Sequence, residues 1–295
     1  LKSLKVKLAI ITMITLLAVS GANQATAQTM DRENSWSITD GTGADILIFV
    51  GGGAFYSNSA DLFNQSYTAF GNNVTVTSSY DFTAHDIADY DAILLTNFEN
   101  GFNAANLTAF QNYVDTGNKV LWVSGNSDYS EFYKANETAN PLLNAVKSNL
   151  RIDGGSISDP QSNDGASYRV VANETGVSST AVDYVTAGFK DTIYHGPAAV
   201  SYYDYNQMRF EDLRNQSIAT DNIDIFVNSS AAAVASDAGS LSDYDVYPYL
   251  DTTGNYPMLA SQMINGSAVI VSGEASFTDY KEMYDWVYEN AQTPH

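Results

Sequence analysis

The chain has 295 residues, with 13 Lys and Arg against 34 Asp and Glu, three His and no Cys. That length suffices for one large domain with a sizeable buried core. The absence of Cys excludes a disulfide framework, thiolate metal sites and every cysteine nucleophile. A formal charge of -21 argues against binding DNA or RNA through phosphates, which needs clustered Lys and Arg.

Residues 1–27 read as a secretory signal. Lys2, Lys5 and Lys7 precede an apolar stretch from Leu8 to Val19, and Ala25 and Ala27 form a small-residue cleavage site before Gln28. The apolar stretch is too short to span a bilayer comfortably, and no later one approaches membrane length. The mature protein is therefore expected to be secreted, periplasmic or on the cell surface, with no membrane span after cleavage. Eight Asn-x-Ser/Thr sequons follow, at Asn64, Asn73, Asn106, Asn136, Asn173, Asn215, Asn228 and Asn265. They are a mild excess over chance, and in a host that glycosylates exported chains they are candidate glycan acceptors.

Residues 28–44 form a polar leader, and residues 45–295 read as a single domain. DILIFV (45–50) is a continuous apolar run suited to a strand buried on both faces, and Gly51, Gly52 and Gly53 end it. Helical spacing runs through Leu62, Phe63 and Phe70. NVTVT (73–77) and DAILLT (91–96) are further strands, the latter preceded by an acidic helical turn at 85–89. A helix is predicted over 104–115, with Leu107, Phe110, Tyr113 and Val114 on one face and Gly117 at its C-terminal end. KVLWVS (119–124) is the fourth strand. Strands alternating with helices predict an α/β fold, with a mainly parallel central sheet flanked by helices.

In the second half a helix is predicted over 140–150 after Pro141, then a Gly, Asp and Ser loop over 153–166 and a strand over 167–172. Residues 192–200, 222–227 and 231–235 read as extended. Residues 257–264 and 267–272 flank Asn265-Gly266, the preferred type I′ turn, and predict a β-hairpin. A terminal helix is expected over 278–290, its Tyr280, Tyr284 and Tyr288 stripe read as a core face rather than a sugar platform.

Four stretches carry a family resemblance: DILIFVGGG (45–53), YDAILLTNFENG (90–101), GNKVLWVSGN (117–126) and NGSAVIVSGEASF (265–277). Together with TAGFKDTIYHGPAAV (186–200), they resemble the class I glutamine amidotransferase-like superfamily, and in particular exported members that have lost the amidotransferase residues. The resemblance covers most of residues 45–290. It implies a flavodoxin-like fold with an added C-terminal β-hairpin and helix. The family's nucleophilic Cys would fall at or near Ser124, so glutaminase activity is not expected.

Ser124 is the sharpest candidate for chemistry, because it ends the fourth strand and precedes Gly125, at the edge where α/β sheets place ligands. His195 is the histidine placed to serve as its base, and a Ser–His pair with a carboxylate would give acyl transfer or ester hydrolysis. Against this, the local sequence W-V-S-G-N-S is not the G-x-S-x-G elbow. A small residue at a strand end and a packed histidine are the plainer reading.

Gly52 and Gly53 offer backbone N–H groups to an anion, although a tight strand-to-helix turn explains them as well. Asn97, Glu99 and Asn126 fall in loops on the same edge and suit a polar ligand or a solvated surface. Acidic clusters at 153–164, 204–212 and 243–251 fit no calcium-loop register, so no metal or other cofactor is expected. Tyrosines cluster at Tyr202, Tyr203 and Tyr205, and again at Tyr244, Tyr247, Tyr249 and Tyr256. Tyr203 and Tyr247 are taken as candidate ligand contacts, because tyrosine supplies amphipathic contact area; a core role is the alternative.

Two functions compete. One is an exported, non-catalytic surface or envelope module that binds a protein partner, a glycan or itself. The other is a Ser-dependent hydrolase using Ser124 and His195 on an ester or glycan decoration. A solute-binding protein would need a second α/β lobe, which the pattern does not show.

Overall fold

A computed structural model describes residues 43–51, 68, 71–83, 87–95, 98, 100–128, 134, 137–173, 192–215, 222–237, 245–250 and 253–274. The signal segment, the leader up to residue 42, Gly52, Gly53, Asn97, Glu99, the helical spacing near Leu62, and the terminal helix over 278–290 lie outside these residues.

The first half follows its hydrophobic pattern closely. Strands β1 (Asp45–Phe49), β2 (Asn73–Thr77), β3 (Ala92–Leu95) and β4 (Val120–Ser124) form where the apolar runs predict them. They pair in parallel, β1 between β2 and β3, and β3 beside β4. β3 and β4 are buried along their whole length, whereas β2 is partly exposed throughout, as its position at the sheet edge requires. Helix α1 (Ala104–Asp115) starts where the Asn103 side chain accepts the Asn106 amide at 2.9 Å. It ends before Gly117, whose φ of +79° is the left-handed conformation that glycine adopts at little cost.

Beyond β4 come helix α2 (Ala139–Ala145), β5 (Leu150–Ile152), β6 (Ser156–Ser158), β7 (Arg169–Ala172), β8 (Thr192–His195), β9 (Val200–Asp204), β10 (Arg209–Glu211), β11 (Ile223–Asn228), β12 (Val234–Ser236), helix α3 (Val246–Leu250), β13 (Pro257–Ile264) and β14 (Ser267–Ser272). The β13–β14 hairpin forms as predicted, with Asn265 and Gly266 both at positive φ. β14 pairs in parallel with β4, and β13 and β11 then extend the sheet in antiparallel sense. The order is β11-β13-β14-β4-β3-β1-β2.

The helix-flanked, flavodoxin-like α/β fold expected from the sequence is not what these residues build. Among the described residues the chain is mostly β, with a mixed seven-stranded sheet and three smaller antiparallel sheets: β10-β9-β5, β12-β6 and β7-β8. The difference lies in residues 146–236. There β7, β8, β11 and β12 fall in stretches that read as extended, but the strands are only three to six residues long and their pairing into small antiparallel sheets leaves no mark in the sequence. The helix predicted over 140–150 stops at Ala145, because Lys147 takes a φ of +60° and the chain turns into β5.

The two faces of the main sheet are covered differently. One face packs Leu47, Phe49, Leu121, Val123 and Val271 against α1 and α2, through Phe110, Tyr113, Leu142 and Leu143. Phe49 also sits edge-on to Phe82 at 5.2 Å, within a cluster of phenylalanines. The other face packs Ile46, Leu94, Trp122 and Ile270 against Ile157, Val170, Tyr194, Ala235 and Tyr247, which come from the small sheets and α3. Burying two apolar faces is what stabilises a sheet of this kind. No described helix is long and apolar enough to cross a membrane.

Candidate functional site

The carboxyl ends of β4 and β14 lie side by side, Ser124 opposite Ser272. This is the edge at which parallel sheets expose residues to ligands. Here the chain itself covers it. A Cβ built on Gly125 would lie 2.7 Å from the Ile152 side chain, and one on Gly273 would lie 2.0 Å from the Ala198 carbonyl oxygen. The Ala198 amide donates to the Gly273 carbonyl at 2.9 Å, and the Ser127 hydroxyl donates to the Gly196 carbonyl at 2.8 Å. Residues 196–199 thus lie directly on the strand ends.

Ser124 is only 1% exposed, and its Oγ accepts the Trp122 indole N–H at 3.1 Å. No hydrogen bond joins it to His195 among the described residues. His195 is half-buried in β8. Its backbone N–H donates to the Glu274 carboxylate, and its ring lies edge-on to Tyr168 at 5.0 Å. Asn126 is 6% exposed, and its Oδ1 accepts the Ser127 amide at 2.9 Å. The sequence reading singles out Ser124, His195 and Asn126 but passes over Glu274, which is 3% exposed at the same edge. Burial, then the neighbouring Glu274 carboxylate, push the Tyr194 phenol pKa up.

The acidic residues serve the fold. Asp153 is fully buried and accepts the amides of Gly155 at 2.9 Å and Val246 at 2.8 Å, with Tyr247 at 3.3 Å, so it caps α3 from a distant turn. Burial pushes its pKa up to about 7, although these three amides act in the opposite sense. Asp159 accepts amides from Gln161, Ser162 and Ser230. Burial pushes Asp159 up, but these bonds together bring it below the ordinary carboxylate value. Asp164 pairs with Arg169, Glu211 with Arg209, and Asp212 with Arg214. Among the described residues no three His, Asp or Glu side chains converge on a metal position.

The tyrosines divide into two sets. Tyr247 is fully buried; its hydroxyl donates to the Val200 carbonyl at 2.8 Å and accepts the Leu213 amide at 3.2 Å. Tyr256 is also fully buried, 5.2 Å from the Tyr247 ring. Arg214 lies over both rings, at 5.0 and 4.7 Å. Tyr247 as a ligand contact is therefore corrected: it is a core residue, buried by the small sheets that the sequence reading did not find. Tyr203 and Tyr205 remain half-exposed, at the base and tip of the β9–β10 hairpin. Beneath them the Arg151 guanidinium, 2% exposed, lies 5.0 Å from the Tyr203 ring and 5.6 Å from that of Tyr205. A lone Arg within a strand gave no sign of this placement.

No protein-family model and no curated protein matches the sequence. The fold is similar to that of the mmIFT52 N-terminal domain, with a TM-score of 0.53 and 14% identity, over 83% of this chain and 92% of that one. At that identity the likeness is one of fold alone. The cytoplasmic protein STM1381 from Salmonella typhimurium LT2 matches with a TM-score of 0.40 and 16% identity, over 78% of this chain and 88% of that one. The GH42 beta-galactosidase Gan42B matches with a TM-score of 0.40 and 9% identity, over 84% of this chain and 29% of that one, so the chain spans under a third of its length.

Proposed function

We propose that the chain is an exported, non-catalytic surface or envelope module that recognises a protein partner, a glycan or a second copy of itself. The observation that carries this reading is the state of Ser124: 1% exposed, its oxygen engaged by Trp122, beneath strand ends that residues 196–199 cover. A nucleophile needs a free lone pair, a base within about 3 Å and an approach for substrate. Among the described residues Ser124 makes no hydrogen bond to His195, its oxygen is held by the Trp122 indole, and at 1% exposure it offers substrate no approach. The Lys-rich start with Ala25 and Ala27 supports export.

The test has two parts. N-terminal sequencing of the protein recovered outside the cytoplasm is expected to begin at or near Gln28; an intact Leu1 start in a cytoplasmic fraction counts against export. A panel of small ester substrates is expected to show no turnover by the wild type. Turnover that Ser124→Ala abolishes, in a variant that stays folded, overturns the non-catalytic reading.

A further inference from the structure

The β9–β10 hairpin has a composition and geometry that the fold does not explain. Its strands pair Tyr203 with Phe210, and the two rings meet edge-on at 5.1 Å. Tyr203 and Tyr205 stand at 86° to one another, also 5.1 Å apart, so their faces form a right-angled notch. At the tip, Asp204 Oδ1 accepts the backbone amides of Asn206 at 2.7 Å and Gln207 at 3.2 Å, which fixes the turn. Asn206 and Gln207 are both exposed, and the Gln207 side chain also bonds to the Asp204 carboxylate, which holds its amide at the tip of the turn. Met208, 71% exposed, completes the tip.

Arg151 holds this notch from beneath. Each of the other described arginines pairs with a carboxylate, whereas Arg151 donates to the Ser148 and Leu150 carbonyls, the Asn144 side chain and the Tyr205 hydroxyl. A planar guanidinium with both ring faces within cation–π reach restrains Tyr203 and Tyr205 before any ligand arrives. Rings ordered in advance lose little freedom on binding. On the hairpin itself Arg209 is neutralised by Glu211, with an Nε to Oε1 distance of 2.7 Å.

We propose that this hairpin is a binding site for an uncharged carbohydrate chain. Tyr203 and Tyr205 present their rings to sugar faces, Asn206 and Gln207 bond to hydroxyls, and Arg151 is a positioning residue. The proposal rests on the recognition-module reading above. The choice of an uncharged ligand follows from charge: a chain at -21 repels acidic polymers and its own copies, while the hairpin offers aromatic faces and neutral amides. Aromatic rings with adjacent amides suit the alternating C–H faces and hydroxyl rims of a sugar.

The experiment is affinity electrophoresis of the full chain in gels containing a neutral β-glucan, a xyloglucan or a mannan, with alginate as the acidic arm. The wild type is expected to be retarded by at least one neutral polysaccharide, and equally at low and high salt. The double change Asn206→Ala and Gln207→Ala, at exposed positions, is expected to weaken binding about tenfold with an unchanged melting temperature. Arg151→Lys is expected to weaken binding and to reduce the near-ultraviolet tyrosine circular dichroism while leaving the far-ultraviolet spectrum intact. Retardation by alginate alone, by no polysaccharide, or equally by the double variant overturns the carbohydrate assignment. Those outcomes leave the non-catalytic reading standing; Ser124-dependent ester turnover is what removes it.

Discussion

The Trp122 indole donates to Ser124 Oγ at 3.1 Å, two residues along the same face of β4, with both side chains about 1% exposed. A donor buried this deeply has no water to turn to if its acceptor is removed. Ser124→Ala is therefore expected to lower stability by about 1–3 kcal/mol, read as a shift in the urea midpoint with an unchanged slope. A stability equal to wild type would show that the indole finds another acceptor.

Asp153 makes stability depend on pH in a direction unusual for a carboxylate. Its folded pKa is raised to about 7 by burial, whereas in the unfolded chain it titrates at about 4. Between those values the folded form binds a proton that the unfolded form has released, so this group's contribution falls as pH rises through that window. Asp159, held below the ordinary value, works in the opposite sense at lower pH. Comparing melting temperatures of wild type and Asp153→Asn from pH 4 to 8 isolates the effect. The difference between them is expected to shift in favour of the variant as pH rises; a constant difference refutes the raised pKa.

Gly273 is a position where any side chain meets backbone. The Cβ of an alanine would stand 2.0 Å from the Ala198 carbonyl oxygen, which no rotamer change relieves. Gly273→Ala is expected to cost roughly 3 kcal/mol or more by forcing the 196–199 segment away from the strand end. Thermal unfolding measures it. Gly266→Ala provides the contrast: nothing lies within 4 Å of its Cβ, so its cost comes only from a φ of +82° and is expected to be nearer 1 kcal/mol.

The sequons separate by burial. Asn106 and Asn228 are 1% and 4% exposed, and the Asn106 side-chain amide donates to the Tyr80 carbonyl. A glycan at either site is incompatible with the fold. Asn73, Asn215 and Asn265 are exposed. In a glycosylating expression host, glycopeptide mass spectrometry of the folded, secreted protein is expected to find occupancy confined to exposed sequons. Full occupancy of Asn228 in a natively folded fraction would contradict its placement in β11.

How much of this was legible in the sequence depends on strand length and on what polar residues do. DILIFV, DAILLT and KVLWVS are unbroken apolar runs, and each became a buried strand in the main sheet. Asn265-Gly266 announced its hairpin because few dipeptides accept two successive positive φ values. Between 146 and 236 the extended stretches of β7, β8 and β11 were legible, but three-residue strands such as β5 and β6 have no period to detect. Tyr247 was misjudged for a related reason: its OH suggested a surface, but that hydroxyl is spent on Val200 and Leu213 inside the core. Arg151 and Asp153 flank Ile152 in β5 and the turn after it, and nothing in the letters R-I-D distinguishes a buried pair of charges from a solvated one.

The position of β14 has a temporal consequence. It lies between β4 and β13, so the interior of the main sheet is completed by the last of the described strands. The Lys119 amide meets the Ser267 hydroxyl at 3.2 Å across 148 residues of chain. Closing a loop of that size is entropically costly and makes folding slow. A ribosome that has delivered everything up to the β13–β14 hairpin has released a chain whose β4 still has an open edge. Folding therefore waits on synthesis. For a protein exported as proposed, that delay keeps the polypeptide threadable until translocation is nearly finished, and the same late strand makes any chain truncated before residue 257 a candidate for edge-to-edge aggregation.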